Sequence, residues 1–302
     1  MRRRLLVALV ASVLLLSAAC SSDDGGGGGD DGPAATNPPS LAPLNALEVH
    51  LDEPGETPRA PLVQSIADGA TWDGGIQFRL GVEALLAARA VGDTTLTITD
   101  VDAEGNATAH YTLDALDIAL GSGNGDPGQT TPDALSVSGD VVVAPDRSGT
   151  AASTAQVAAD GSVPGAEGLA SSLDPRLVFL LFPFPEEPVG VDAGWTITGE
   201  IPLFNTTVVL EAQVQLLARR GDRYTLAATV TMSPAVDTGI QLDLRGLGRL
   251  VGDLHQLGLR SGTIGLNGTA VVPDRGPTPT PMSLRVDVDQ RHSDNAGTGT
   301  TS

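Results

Sequence analysis

Apolar and polar residues alternate along most of the chain between residues 45 and 291. The alternating segments are rich in Val, Thr, Leu and Ile, and Gly-Asp or Gly-Asn pairs separate many of them. A period of two is typical of strands that bury one face of a sheet. We therefore predict antiparallel strands through most of this region, for example at Thr94–Val101, Ala107–Leu120, Leu135–Val143, Thr206–Leu217, Tyr224–Met232 and Ser283–Val288.

Three glycine-containing segments are predicted to be tight turns between such strands. They are Val91-Gly92-Asp93, Ala103-Glu104-Gly105-Asn106 and Arg220-Gly221-Asp222. One segment favours a short amphipathic helix instead, because its apolar residues follow a 3, 4, 7 spacing. These residues are Leu247, Leu250, Val251 and Leu254, and the glycines among them oppose the helix.

Several landmarks recur in the same order in the two halves of the chain. Trp72 and Trp195 lie 123 residues apart, and each follows a bend that contains Asp and Gly. Two pairs of glycines are each separated by 129 residues, namely Gly92 with Gly221 and Gly139 with Gly268. Composition alone can produce such similarities in low-complexity β sequence, but the agreement in order and offset favours duplication.

These patterns predict an all-β fold made of two duplicated antiparallel β-meanders with at most one short helix. The meanders are expected to pack as a sandwich or to continue one strongly curved half-barrel sheet. The predicted division is a first half with its connector at residues 45–187 and a second half at residues 188–291.

The connector between the halves contains the strongest apolar cluster, from Leu177 to Pro185. It holds three of the five phenylalanines, Phe179, Phe182 and Phe184. We interpret the cluster as a plug in the core, since exposed apolar patches are uncommon on soluble domains. A patch that binds a lipid or a partner is the alternative. These phenylalanines, with Trp72 and Trp195, are the candidate ligand-binding residues, although both tryptophans fit core anchors better.

The first twenty residues have the parts of an export signal. Arg2, Arg3 and Arg4 precede fifteen residues that end at Ala19, too few for the ~20 of a stable transmembrane helix. Leu16-Ser17-Ala18-Ala19-Cys20 resembles the lipobox of bacterial lipoproteins. That resemblance implies cleavage after residue 19 and a lipid on Cys20. An ordinary secretory signal with an incidental cysteine is the alternative.

Residues 20–44 follow as a predicted disordered tether of Gly, Asp, Ser and Pro, and residues 292–302 as a predicted disordered tail. Cys20 is the only cysteine, so no disulfide can form within one molecule. Cleavage would remove three arginines and no acidic residue from the 17 basic and 37 acidic residues, which leaves a formal charge of −23. That charge argues against nucleic acid as a partner and against a polybasic contact with anionic lipid head groups.

The residues that usually carry chemistry are scattered. The four histidines lie far apart in sequence, and the fold contains no other cysteine, so no zinc motif is present. The segment Asp100 to Asn106 partly imitates a calcium loop, but Tyr111 stands where the bidentate Glu is needed. We therefore interpret the segment as an acidic hairpin turn, and weak calcium binding by this turn stays open. Neither a Gly-x-Ser-x-Gly elbow nor a phosphate loop occurs, and nine aromatic residues argue against a sugar cleft.

A wider resemblance covers most of residues 60 to 290. Pro188 to Trp195, the Arg-Gly-Asp turn before Tyr224-Thr225-Leu226, and Ser261-Gly262-Thr263 resemble a family of uncharacterised β-rich lipoproteins of high-GC bacteria. The resemblance implies no activity, catalytic residue, metal or cofactor.

The sequence thus predicts an exported, lipid-anchored protein of the cell membrane or envelope that is not an enzyme and needs no cofactor. A binding module for a hydrophobic or lipid-like ligand is the preferred hypothesis. The alternative is a structural or protein-interaction lipoprotein without a small-molecule ligand, whose protein partner is unknown. A hydrolase with an unrecognised site is the least favoured hypothesis.

Overall fold

The computed structural model describes residues 40–83, 86–121, 135–159, 174–203, 206–235, 241–271 and 278–292. These residues form fourteen β-strands and one short helix. In chain order they are β1 (Leu41–Pro43), β2 (Glu48–Glu53), β3 (Thr71–Val82), β4 (Leu86–Val101), β5 (Ala107–Gly121), β6 (Leu135–Val143), β7 (Gly149–Ser153), β8 (Gln156–Ala159), α1 (Pro175–Val178), β9 (Gly194–Leu203), β10 (Thr206–Arg220), β11 (Arg223–Pro234), β12 (Gln241–Asp253), β13 (Ser261–Val271) and β14 (Thr280–His292).

All strands belong to one antiparallel sheet, so the all-β prediction is confirmed. The strand order is β1-β7-β6-β5-β4-β3-β14-β13-β12-β11-β10-β9-β2, and β8 pairs with the upper part of β6. The two predicted halves meet where β3 pairs with β14 along eleven residues. They therefore continue one sheet, which was one of the two expected arrangements.

The sheet is strongly curled, as the N-terminal strands demonstrate. β1 pairs with β7 at one edge, whereas β2 pairs with β9 at the other edge. Only four residues, 44–47, join them, so the edges lie within roughly 18 Å of each other. Thirteen strands laid flat would span roughly 58 Å. Residues 41–53, here called the strap, bridge the edges.

Glycines at inward-facing positions allow this curvature. A Cβ on Gly74 would collide with the backbone of Asp289, and one on Gly268 would collide with the backbone of Asp243. Glycine within a strand often marks such a close approach of two backbones at a bend of a sheet. The alternating apolar residues then converge on one interior, where they form one continuous hydrophobic core.

The curled sheet has two ends. The base is the end where β3 begins at Thr71 and β9 begins at Gly194. The upper end is where these strands finish, at Val82 and Leu203. The segments 54–70, 174–193 and 254–260 all lie at the base, tied together by bonds such as that from the Ser65 amide to the Leu254 carbonyl at 2.8 Å.

Two local predictions were wrong. Gly92 lies inside β4, where the pairing with β5 shifts between Val91 and Asp93, so a bulge replaces the expected turn. The segment predicted as a helix is β12: Leu250 faces the core, whereas Leu247 points outward and is 70% exposed. Neighbouring strands supply hydrogen bonds along the whole of β12, and this tertiary pairing overrides the helical spacing. The turns around Gly105 and Gly221 are confirmed.

The strand pairings in the two halves do not match the offset of 129 residues between Gly139 and Gly268. Tyr111 in β5 lies opposite Gly139 in β6, and Tyr224 in β11 lies opposite Gly252 in β12. Each tyrosine ring covers its glycine, where a Cβ would collide with the phenol. Both pairs are separated by 28 residues. Glycine 268 lies in β13, one strand beyond the position that corresponds to Gly139.

Candidate functional site

The connector between the halves fills the base of the interior. Phe179 and Phe184 are each 1% exposed and Phe182 is 6% exposed. Phe179 packs edge-on against Tyr111 with ring centroids 5.4 Å apart, and Phe184 packs in the same way against Tyr224 at 5.3 Å. These burials are what the core-plug interpretation predicts. They leave no phenylalanine of the connector exposed as a surface patch.

The tryptophans anchor the starts of two strands. Trp72 is 3% exposed at the start of β3, and Trp195 is fully buried at the start of β9. The Trp195 indole donates to the Pro183 carbonyl at 3.1 Å, which fixes the connector to the sheet. Both rings therefore stabilise the base and offer little surface to a ligand.

A buried arginine links the plug to the sheet. Arg147 is 1% exposed, and its guanidinium donates to the Tyr224 hydroxyl and, at 3.4 Å, to the Leu180 carbonyl. Its cationic carbon also lies 5.7 Å from the centre of the Phe184 ring. Burial raises the pKa of Tyr224, while the adjacent Arg147 opposes that change. The phenol therefore stays protonated and can accept from the guanidinium.

Beneath the strap lies a buried ion pair. Asp174 and Arg176 are each 3% exposed, and the Arg176 Nη2 donates to Asp174 Oδ2 at 2.6 Å. Arg176 Nη1 donates to the Asn45 carbonyl of the strap at 2.6 Å. Asp174 also caps α1, because its carboxylate accepts from the Arg176 amide at 2.8 Å. The Arg176 guanidinium thus links the strap to Asp174 at the start of α1, and the Arg176 side chain lies against Gly149 of β7. We call this junction of the strap, α1 and β7 the seam.

The inward residues of β3 become less buried towards the upper end. Along β3, Trp72 and Ile76 are buried, whereas Phe78, Leu80 and Val82 are only partly buried although they alternate onto the same inward face. The plug contacts Tyr111, Tyr224 and Trp195 at the base. The inward row of β3 therefore extends beyond the plug and presents accessible apolar surface at the upper end.

Among the residues that the structure describes, two histidines contact a carboxylate or a carbonyl. His110 Nδ1 lies 2.8 Å from Asp140, and His255 lies 3.0 Å from the Ser65 carbonyl and 3.3 Å from Asp222. The Ser65 carbonyl, aided by Asp222, raises the pKa of His255. Within the described ranges, no three His, Cys, Asp or Glu side chains are placed to hold one metal ion.

The segment that imitates a calcium loop is a hairpin turn between β4 and β5. The Asp102 carboxylate accepts from the backbone N–H of Asn106 at 2.8 Å, from the Asn106 side-chain Nδ2 at 2.7 Å and from the backbone N–H of Glu104 at 3.0 Å. These bonds lower the pKa of Asp102, with that from the Asn106 side chain the largest cause. The carboxylate is occupied in closing the turn.

Two concavities lie on the outside of the sheet. One of about 490 Å³ lies beside β2, β9 and β10 and includes Asp52, Asp192 and Gln213. Another of about 570 Å³ crosses β12, β13, β14, β3 and β4 and includes Arg249 and Asp287. Neither is lined by the connector phenylalanines. Both are open grooves rather than enclosed apolar cavities.

The sequence interpretation missed the residues that close the seam. Asp174 and Arg176 stand two residues apart in a segment without periodicity, and only the fold brings the strap over them. Phe78 was also missed, although its place between Ile76 and Leu80 in an alternating row was available as a signal. Cys20 and the proposed tether up to residue 39 lie outside the described residues.

Comparison with known proteins gives no relative: no family model, curated protein or solved structure matches the chain. Within the part of the chain that the structure describes, no helix has the length and apolar character to cross a membrane.

Proposed function

We propose that this chain is a lipid-anchored lipoprotein of the bacterial cell envelope whose curled sheet binds a hydrophobic or lipid-like ligand without catalysing a reaction. Export and the anchor rest on the first twenty residues, in particular on Cys20 after three small residues. The domain would be held outside the cytoplasm on the membrane.

The observation that carries ligand binding is the partly exposed apolar row at the upper end of β3. Phe78, Leu80 and Val82 face the inside of a curled sheet yet remain accessible. Such a row costs solvation free energy unless something apolar covers it, at roughly 25 cal/mol for each Å². An acyl chain or another flexible apolar group would contact this row above the plug.

The filled base supports the second candidate, a structural or interaction protein without a small ligand. The connector already occupies the interior where the rings of Tyr111, Tyr224 and Trp195 converge. On that account the sheet is a rigid platform, and any recognition takes place on its outer face.

Fluorescent acyl-chain binding distinguishes these two candidates. Leu80→Trp enlarges an inward side chain at the upper end. Leu217→Trp is the control, because Leu217 in β10 is 39% exposed. Binding by the unaltered chain that Leu80→Trp weakens and Leu217→Trp preserves supports the ligand site. Absence of binding, or equal loss in both variants, contradicts it.

The anchor is tested separately by metabolic labelling with a radioactive fatty acid. Label on the full chain that disappears in Cys20→Ala supports lipidation. Equal label in both chains contradicts it.

A further inference from the structure

Three arginines stand side by side on the outer face of the sheet. Arg285 in β14 lies directly opposite Arg79 in β3, which lies directly opposite Arg89 in β4. All three point away from the core and are exposed. Adjacent strands are ~4.8 Å apart, so the row places three guanidinium groups within about 10 Å along the sheet. We call Arg79, Arg89 and Arg285 the arginine row.

Such a row is unexpected on stability grounds. Like charges directly opposite each other in a sheet are destabilising, and this chain has a net charge of −20 with only 17 basic residues. Local choices that oppose stability tend to occur where a protein has another use for them. The arginine row is therefore a candidate for recognition of an anion.

The neighbouring carboxylates neutralise the row only in part. Arg285 Nε lies 2.8 Å from Asp287, and Arg79 donates to the Gln77 side chain at 3.3 Å. Among the side chains that the structure describes, none forms an ion pair with Arg89 or with Arg249 on β12. These four arginines and Asp287 carry a local charge of +3.

An exposed apolar side chain continues the same row. Gly265 in β13 lies opposite Arg285, and Leu247 in β12 lies opposite Gly265. Leu247 is 70% exposed, the highest value among the exposed large hydrophobic residues, and nothing approaches the side-chain position of Gly265 within 4 Å. One leucine thus projects beside the cationic groups, across roughly 19 Å of sheet.

We propose that the arginine row and Leu247 dock this face on the anionic head groups of a phospholipid bilayer. Guanidinium groups match phosphate oxygens in geometry and are weakly hydrated. An apolar side chain next to cationic ones suits the boundary between head groups and acyl chains. The inference rests on the proposed lipid anchor, which would keep the domain beside a bilayer. Twenty residues, 21–40, separate Cys20 from the strap and can span up to roughly 70 Å.

The negative charge of the whole chain does not prevent this contact. Charges beyond about 8 Å are largely screened at physiological ionic strength, so the nearest groups dominate. The anchor also makes docking an intramolecular event with a high effective concentration. The row therefore orients a domain that the lipid already holds, with β12, β13, β14, β3 and β4 towards the membrane.

The test uses the full lipidated chain reconstituted into vesicles of phosphatidylglycerol or of phosphatidylcholine. Leu247→Cys supplies a thiol for an environment-sensitive fluorophore, since Cys20 is the only native cysteine and its sulfur would carry the proposed lipid. Leu217→Cys, on β10, is the control position. We expect a blue shift at residue 247 with phosphatidylglycerol alone and no shift at residue 217.

Charge variants test the arginines themselves. The combination Arg79→Gln, Arg89→Gln and Arg285→Gln should reduce the docked-to-undocked ratio about 100-fold, from about fivefold for each arginine. The matched control, Arg220→Gln with Arg223→Gln and Arg260→Gln, removes the same charge elsewhere and should leave the shift unchanged.

Flotation of the vesicles separates the two proposals. A chain that floats with both vesicle types but gives equal signals at residues 247 and 217, or the same signal with either lipid, overturns the docking surface and leaves the anchor intact. A chain that floats with neither vesicle type contradicts the anchor and the docking surface together.

Discussion

Replacement of Arg176 by methionine is expected to destabilise the fold strongly. Arg176 makes three hydrogen bonds to the Asp174 carboxylate, at 2.6, 3.0 and 3.1 Å, and one to the Asn45 carbonyl at 2.6 Å. The side chains of the pair are 3% and 0% exposed. Methionine would fill much of the volume but leave the Asp174 carboxylate buried without its cation.

The expected magnitude follows from that burial. Removal of one partner from a buried ion pair costs about 3 to 5 kcal/mol, whereas replacement of both partners by apolar residues is often close to neutral. For a domain of this size, each kcal/mol lowers the melting temperature by about 2 to 4 °C. Arg176→Met should therefore lower it by roughly 10 °C, and adding Asp174→Leu should restore most of the loss.

Urea unfolding followed by circular dichroism measures both variants. Arg249→Met, at an exposed arginine of β12, is the control and should change stability by less than about 0.5 kcal/mol. The reasoning is refuted if Arg176→Met costs no more than this control, or if the double variant is less stable than the single one. Either result would mean that the ion pair does not close the seam.

Four further outcomes are expected. Gly252→Ala places a methyl group against the Tyr224 phenol and should cost about 1 to 3 kcal/mol in urea unfolding, while Gly265→Ala, in open space, should cost far less. Burial raises the pKa of Tyr111 to about 12, so ultraviolet titration should show no phenolate from folded Tyr111 at pH 10.5. Since a tyrosine in the unfolded chain ionises near pH 10, the contribution of Tyr111 to stability is complete below pH 10 and lost towards pH 12. The pKa of His255, measured by NMR, should lie above its ordinary value and should fall in Asp222→Asn. The contribution of His255 to stability is therefore present in acid and lost as pH rises through that raised pKa. Asn106→Ala should raise the pKa of Asp102. In the unaltered chain, the contribution of Asp102 to folding stability is present at neutral pH and lost as pH falls through its lowered pKa.

The alternating pattern was sufficient to predict the strands because each strand buries one face. β6 begins and ends at the predicted residues, Leu135 and Val143. The predicted helix failed because Leu247, Leu250 and Leu254 satisfy a helical spacing by chance, while the pairing of β12 with two strands depends on residues far away in the chain. Periodicity cannot report such distant partners.

Prediction of the candidate sites from the sequence was more limited, because most of their residues come together only through tertiary structure. The plug could be anticipated, since three phenylalanines in one short segment need burial. The arginine row could not be found from spacing, because Arg79, Arg89 and Arg285 become neighbours only through the β3–β14 and β3–β4 registers. The strap was similarly hidden, since β1 and β2 are nearly continuous in sequence but lie at opposite edges of the sheet.

Native mass spectrometry of the full chain purified from its own membranes is the most direct test of ligand binding by the curled sheet. We expect a stoichiometric noncovalent adduct with the mass of a lipid, which is lost on denaturation and recovered in the organic extract. It should decrease in Leu80→Trp but not in Leu217→Trp. A chain that shows no adduct, and gains none after incubation with lipids of the same envelope, would contradict binding of a hydrophobic ligand.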